Sequence, residues 1–337
     1  MNETKQIFIV GSSRSGTTMM GRILDNHKDI FTFQEIHFFG WHAFKKNMYS
    51  TLEFSDAIIL LSRLFAIQEF GIFNQRDFEK FNEKSEKILD GKNHLTLIEV
   101  YRIFLKFITN ENKCKISCEQ TPKNVYYIQE ILDYFPNAKV IHMVRDARDV
   151  ILSQKRKWRR RFLGASRIPL REAIRSYFNY HPITTSKVWS SAVSHGNMFE
   201  DNPRVYKIRF EDILQNPEDK MIETCNFLGI EFNKEMVDIS NIGSSNSVDK
   251  DNELGLDASK IGKWKIGGLQ QSEIYLSQVF TKEVMSKNGY TLIKFIIPPV
   301  FSIFHYITLP IKGLCGILLN INRIVNLKEY LKNLLGK

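Results

Sequence analysis

Ile7-Phe8-Ile9-Val10 runs into Gly11-Ser12-Ser13-Arg14-Ser15-Gly16-Thr17-Thr18, and then into Met19-Met20-Gly21-Arg22-Ile23-Leu24. Four strand-prone residues lead into a loop of small side chains, and a helical stretch follows. Small residues let backbone N–H groups converge on an anion, and a helix N-terminus adds the positive end of its dipole. The order strand, small-residue loop, helix therefore predicts an anion cradle at the edge of an α/β sheet. The spacing is Gly-x-x-x-x-Gly, as in a P-loop, but Thr17 stands where a nucleoside triphosphatase has lysine. The loop's one cation is Arg14. That weakens an ATPase, GTPase or small-metabolite kinase reading without removing it.

A second stretch has the same logic. Val140-Ile141-His142-Met143-Val144 reads as a buried strand and ends in Arg145-Asp146-Ala147-Arg148-Asp149-Val150-Ile151-Leu152-Ser153. A cation at the C-terminal end of a strand, with a hydroxyl eight residues on, suits another anion, because ligands of open α/β sheets gather at that edge. Two anion sites imply a ligand with two separated phosphate-like groups.

With both stretches in view, the chain resembles the sulfotransferases that use 3′-phosphoadenosine-5′-phosphosulfate. Arg14-Ser15-Gly16-Thr17-Thr18 looks like the family's 5′-phosphosulfate loop, and Arg145 with Ser153 looks like its 3′-phosphate site. Glu119-Gln120-Thr121-Pro122-Lys123-Asn124, Arg209-Phe210-Glu211-Asp212-Ile213-Leu214-Gln215-Asn216-Pro217 and Lys260-Ile261-Gly262-Lys263-Trp264-Lys265 follow in the family's order, within roughly residues 6–266. The resemblance implies a P-loop-like parallel sheet flanked by helices. It also implies that donor as co-substrate, an acceptor hydroxyl on a saccharide, lipid or peptide, and no metal.

Lys263 is implied as a further donor contact, with Trp264 as a packing anchor. Relatives often carry lysine at the position of Gln120, which supplies no charge here; Lys123 is the nearby substitute. Glu35 lies 21 residues beyond Arg14, the spacing of the catalytic glutamate in the branch related to tyrosylprotein sulfotransferases. It is the expected general base, and Arg14 the expected catalytic cation. His37 is the alternative base, since a histidine titrates near neutrality. A solvated loop glutamate and a pocket-lining histidine are the structural readings of the same two residues.

The 337 residues allow one large domain or two small ones, and 43% hydrophobic and 12% aromatic content supports a large core. A net charge of +10 suits an anionic nucleotide or an anionic surface. No finger or RNA-binding motif accompanies it, so nucleic acid is not an expected partner. Cys114 and Cys118 have zinc-like spacing but lack a partner pair, and reduced thiols are expected. The N-terminal residues run straight into a strand without a signal-peptide core. Family members of the Golgi lumen carry an anchor there, so the resemblance is to a cytoplasmic, bacterial type.

The expected organisation is a catalytic domain over 1–290, with a helical insertion at about 40–110 that caps the acceptor pocket, and an apolar tail over 291–337. Strands are predicted at 7–10, 30–33, 115–118, 140–144 and 205–210. Helices are predicted at about 17–27, 123–134, 170–200 and 217–228, and a loop at 240–258. Lys155-Arg156-Lys157-Trp158-Arg159-Arg160-Arg161 holds six cations in seven residues. It reads as a solvated face or a helix C-terminal run, or as an acidic-acceptor contact, a headgroup contact or part of the nucleotide's field. In the tail, Pro310 and Lys312 interrupt the apolar run that a spanning helix needs. Residues 324–335 read as an amphipathic helix. The tail is expected to contact a membrane surface, or a second copy in a homodimer, or to pack on the core.

Overall fold

The structure is a computed structural model that describes residues 5–42, 48–72, 75–92, 95–163, 168–241 and 250–320. The expected amphipathic helix at 324–335 lies outside the described residues. The strands are β1 (Lys5–Gly11), β2 (Ile30–Thr32), β3 (Ile116–Glu119), β4 (Lys139–Val144) and β5 (Val205–Arg209), and they form one sheet in the order β2-β3-β1-β4-β5. β1 and β2 both run parallel to β3, with Lys5 and Ile30 each opposite Ile116. Near-continuous apolar strands are what a sheet covered on both faces requires, and Phe8, Ile9, Val10, Val140, Ile141, Met143 and Val144 are all buried to completion.

The chain divides into two compact units. The first comprises residues 1–11, 17–142 and 199–206. It holds β1, β2, β3, most of β4 and the start of β5. Its helices are α1 (Thr17–Asp25), α2 (Phe38–His42), α3 (Phe54–Phe70), α4 (Asn82–Leu89), α5 (Leu97–Glu111) and α6 (Ile128–Tyr134). α3, α4 and α5 fill most of the span expected to be a helical insertion. α5 starts at a capping box: Glu99 N–H donates to Thr96 Oγ1, and the Glu99 carboxylate accepts from Thr96 N–H. The helix expected at 123–134 is instead a 3₁₀ turn, Pro122–Tyr127, followed by α6. Thr121-Pro122 starts the first; Tyr127, with a non-helical backbone, separates the two.

The second unit comprises residues 12–16, 143–198 and 207–337. Its helices are α7 (Ala147–Lys155), α8 (Leu170–Phe178), α9 (Pro182–Asn197), α10 (Phe210–Gln215), α11 (Pro217–Leu228), α12 (Lys263–Ile266), α13 (Gln271–Lys287) and α14 (Phe301–Asn320). The single helix expected at 170–200 is two, because Pro182 cannot continue a preceding helix and instead starts α9. α11 begins at Pro217 and ends on Gly229, whose φ of 68° is left-handed. The loop expected at 240–258 contains a short antiparallel pair, β6 (Ser240–Asn241) with β7 (Lys250–Leu254). α14 runs through Pro310, where a break was expected. Proline in a helix interior costs about 3 kcal/mol. Docking at both ends offsets that cost: Ser302 and Asn320 are buried, and Asn320 Oδ1 accepts from Arg175 Nη1 at 2.8 Å.

His181 caps α9. Its Nδ1 accepts from Ile183 N–H at 3.3 Å, so Nε2 carries the proton and donates to the His305 carbonyl at 3.0 Å. Burial pushes the His181 pKa down to about 4. The unfolded chain therefore binds a proton between about pH 6.5 and 4 that the folded chain refuses. The stability held by neutral His181 is complete above pH 6.5 and is lost as pH falls towards 4, up to roughly 3 kcal/mol. Thermal unfolding of His181→Asn, which replaces the Nδ1 acceptor with an amide oxygen and does not titrate, should show a smaller acid loss than the parent over that window.

Candidate functional site

The loop between β1 and α1 is held in an unusual backbone path. Ser15 N–H donates to the Ser12 carbonyl at 3.1 Å. Arg14 has φ +75°, a left-handed conformation that costs an L-residue roughly 1–2 kcal/mol. Gly16 follows at φ +94°, and a Cβ there would lie 2.4 Å from the Phe210 ring. Only glycine satisfies both the turn and the packing at that position. Successive N–H groups in alternating hand form a concave anion nest. Ser15 is buried, and its Oγ has no partner among the described residues.

Three sequence-distant segments of the second unit converge on this loop. Arg14 Nε donates to Ser153 Oγ on α7 at 2.9 Å. Arg145, at the end of β4, donates from Nη1 to the Arg14 carbonyl at 3.4 Å and from Nη2 to the Lys260 carbonyl at 2.9 Å. Its guanidinium lies 4.2 Å from the centre of the Phe210 ring, and its Nε finds no partner among the described residues. Burial lowers the Arg145 pKa, and Asp149, Glu211 and Asp146 oppose that loss by their charge. A buried guanidinium nitrogen and a buried hydroxyl remain without partners among the described residues, each a donor with hydrogen-bonding capacity unspent. Arg14, Ser15, Gly16, Arg145 and Ser153 are thus together. Thr17 is buried and Thr18 exposed in the first turn of α1, directly after the loop.

Asp149 gives the 258–266 segment its place. Its carboxylate accepts from Gly262 N–H at 2.8 Å and from Trp264 N–H at 3.0 Å. Burial raises its pKa, with Arg145 and the two N–H groups opposing. Arg148 covers the Trp264 ring at 3.9 Å and pairs with Asp146 at 2.6 Å. Glu211 accepts from Asp146 N–H and from the Tyr290 hydroxyl, both at 2.9 Å. Lys263 therefore sits in α12 on a segment clamped to α7. Sequence reasoning named Lys263 but not Asp149 or Glu211. The signal was there: a second acid in Arg145-Asp146-Ala147-Arg148-Asp149 and the acid in Arg209-Phe210-Glu211.

The other candidates lie in the first unit. Glu35 Oε2 is 3.3 Å from His37 Nε2, with the glutamate side chain half-exposed. His37 has φ +56°. Its N–H donates to Thr121 Oγ1 at 3.2 Å, and Ile36 N–H donates to Glu119 at 3.4 Å. Glu119 is buried and also accepts from Thr121 N–H at 3.2 Å, from the Thr121 hydroxyl and from Asn124 Nδ2 at 2.6 Å. Burial pushes its pKa up to about 7 against those donors. Glu119 is thus the anchor that holds residues 36 and 37. Gln120 packs its amide against Gly21, and its buried Oε1 has no partner among the described residues, whereas Lys123 is exposed. No group of acids, histidines and cysteines among the described residues is arranged to hold a metal.

The model of the sulfotransferase family matches residues 6–234, two thirds of the chain, and the chain belongs to that family. It is 23% identical over 249 residues to a Caenorhabditis briggsae protein named "Putative protein-tyrosine sulfotransferase", covering 70% of this chain and 69% of that one. Among solved structures it is similar to the sulfotransferase domain from the curacin biosynthetic pathway, with TM-score 0.53 and 21% identity over 85% of this chain and 98% of that one. It is also similar to the sulfotransferase domain of the olefin synthase of Synechococcus PCC 7002, with TM-score 0.52 and 18% identity over 87% and 97%. These likenesses show the fold.

Gly16→Ala should destabilise the second unit by about 1–3 kcal/mol, from overpacking against Phe210 and the left-handed backbone. Chemical denaturation measures it; an unchanged midpoint would mean that the loop path is not the one described.

Proposed function

We propose that this chain transfers a sulfuryl group from 3′-phosphoadenosine-5′-phosphosulfate to a hydroxyl of a saccharide or lipid-linked acceptor. The observation that carries the donor assignment is the cluster of half-buried Arg14 and Arg145 with buried Ser15 and Ser153, in which Ser15 Oγ and Arg145 Nε have no partner among the described residues. Bound there, the donor supplies a sulfuryl group already activated by its phosphate leaving group. The loop N–H groups and the Ser15 hydroxyl hold the 5′ end. Arg14 stabilises negative charge as it grows on the leaving phosphate. Arg145 and Ser153 bind the 3′-phosphate, and Lys263 adds a cation on the segment that Asp149 clamps.

Glu35 takes the acceptor's proton, and His37, with Nε2 3.3 Å from Glu35 Oε2, orients the carboxylate. The spacing from Arg14 supports this assignment. It needs neither a covalent enzyme intermediate nor a metal. Four free cysteines among the described residues support a reducing, cytoplasmic setting. Similarity to a protein named for protein-tyrosine sulfation favours a second reading, a tyrosine acceptor. A kinase reading is opposed by Thr17 at the lysine position.

Calorimetry with 3′,5′-ADP against ATP and Mg²⁺ is the direct test of the donor. Tight binding of the bisphosphate alone is expected; the reverse order returns the loop to a kinase. Arg145→Met should weaken bisphosphate binding about ten- to a hundredfold, the worth of a charged hydrogen bond. Arg14→Ala should act on turnover, by about 10²–10³-fold. Glu35→Gln should lower turnover about 10²–10⁴-fold with donor affinity intact. If Glu35→Gln is active and His37→Asn is not, histidine is the base. Labelled donor offered to saccharide, lipid-linked and tyrosyl-peptide acceptors separates the acceptor classes.

A further inference from the structure

α14 has its amphipathicity inverted. The residues it turns to the protein are polar or small: Ser302, Gly316 and Asn320 are buried, and His305 bonds to its neighbours. His305 Nε2 is 3.2 Å from Ser272 Oγ on α13, and its carbonyl accepts from His181, the cap of α9. Asn320 bonds to Arg175 Nη1 at 2.8 Å and to Asn179 Oδ1 at 3.0 Å, on and just after α8. The residues it turns outward are large and apolar. Phe301, Ile303, Phe304, Ile307, Ile311 and Leu314 are each 59–73% exposed.

A helix packed on a soluble core does the opposite. The apolar surface continues beyond α14, through exposed Ile296, Ile297 and Val300 before it and Leu170, Ile174 and Tyr177 on α8. Large apolar side chains exposed in this number along one helix and its neighbours mark an interaction surface.

The charge around the patch says what covers it. A cavity of about 360 Å³ opens between the ends of α7 and α8 and the middle of α14, with Lys155, Arg156, Arg159 and Lys312 in its wall. The other wall residues are aromatic apart from Gly268, and no carboxylate is among them. Glu273 lies behind, 2.6 Å from Lys155 Nζ and 2.7 Å from the Tyr180 hydroxyl. Lys312 Nζ sits 5.0 Å from the Tyr177 ring centre, and Arg159 lies 5.5 Å from that of Trp158. α14 itself has no acidic residue. Cations and interfacial aromatics flanking an outward apolar helix match an anionic bilayer surface. They match a second copy of the same +10 chain poorly, since a two-fold contact would bring like charges together.

We propose that this face binds an anionic phospholipid bilayer, with α14 lying in the interface plane and the Lys155–Lys312 cavity taking a lipid headgroup phosphate. α14 is long and apolar enough to cross a membrane by length and composition. Contacts at both ends, from Ser302 to Asn320, keep it on the domain instead. This gives a role to Lys155, Arg156 and Arg159 of the basic run and accounts for Lys312 within an apolar helix.

Flotation of the full chain tests it, using vesicles of phosphatidylcholine alone and of phosphatidylcholine with phosphatidylglycerol. Binding to the second only, weakening as salt rises, is expected. Ile307→Asp with Ile311→Asp should abolish it. Arg159→Glu and Lys312→Glu should each weaken it about fivefold or more. All variants change half-exposed or exposed side chains, and an unchanged unfolding temperature and 3′,5′-ADP affinity will show that they fold. Failure to float, or indifference to the aspartates, overturns the docking face. Indifference to the charge reversals overturns the headgroup site. Binding released by detergent but not by salt overturns the peripheral placement, and a dimer dissociated by Ile307→Asp in place of flotation assigns the face to self-association.

Discussion

A half-buried guanidinium organises the end of β4 and the segments around it. Arg145 leaves β4 with carbonyls, not carboxylates, as its hydrogen-bond partners. An isolated buried charge costs several kcal/mol unless it is matched. Here the match is spread out: two carbonyl dipoles, the Phe210 ring face, and the longer-range charges of Asp149, Glu211 and Asp146. Trp189 Nε1 also donates to the Arg145 carbonyl at 3.0 Å and fixes the backbone from behind. Because those partners come from the 12–16 loop, α7, α10 and the 258–266 segment, settling one cation sets four pieces of chain at once. The match remains incomplete at Nε, which has no partner among the described residues.

The acids around it divide the labour. Asp146 caps α7 through Arg148 N–H, and its own N–H is taken by Glu211. Asp149 spends both oxygens on the backbone of residues 262 and 264. Neither acid directly neutralises Arg145, so its charge is tuned and kept available. In the first unit Glu119 does similar work with opposite sign. A buried carboxylate surrounded by donors from residues 36, 121 and 124 determines where Glu35 and His37 begin.

What the sequence made legible was local. β1, the loop and α1 announce themselves through a run of apolar residues and a run of small ones, and α11 through Pro217 and Gly229. The link from Arg14 to Ser153 spans 139 residues and has no local signature. Its two ends were identified separately, as parts of two phosphate sites, and the structure shows them bonded. Asp149 and Glu211 were visible as motif letters, but their role is to accept from backbone N–H groups elsewhere, which no spacing encodes. Tertiary contacts also overrode local rules. Pro310 should have ended a helix, and α14 continues because its polar residues are anchored on both sides of the proline. Tyr127 and Pro182 broke helices that periodicity alone carried through.

The cations of this basic chain fall into two physical kinds. Arg145 and Arg148 are withdrawn from water, held to within 3 Å by fixed partners, and stacked on rings. Such charges interact in a medium that salt hardly reaches, and they favour ligands of one shape. Lys312 and Arg159 line an open cavity beside aromatic faces, where screening is strong and geometry is loose. Charges of that kind bring a protein to a diffuse anionic surface and do little to choose a molecule. A single net charge conceals this difference. In the proposed function Arg145 serves the nucleotide, Arg148 holds Asp146 and Trp264 in place, and the cations set against the outward-facing apolar helix serve a surface.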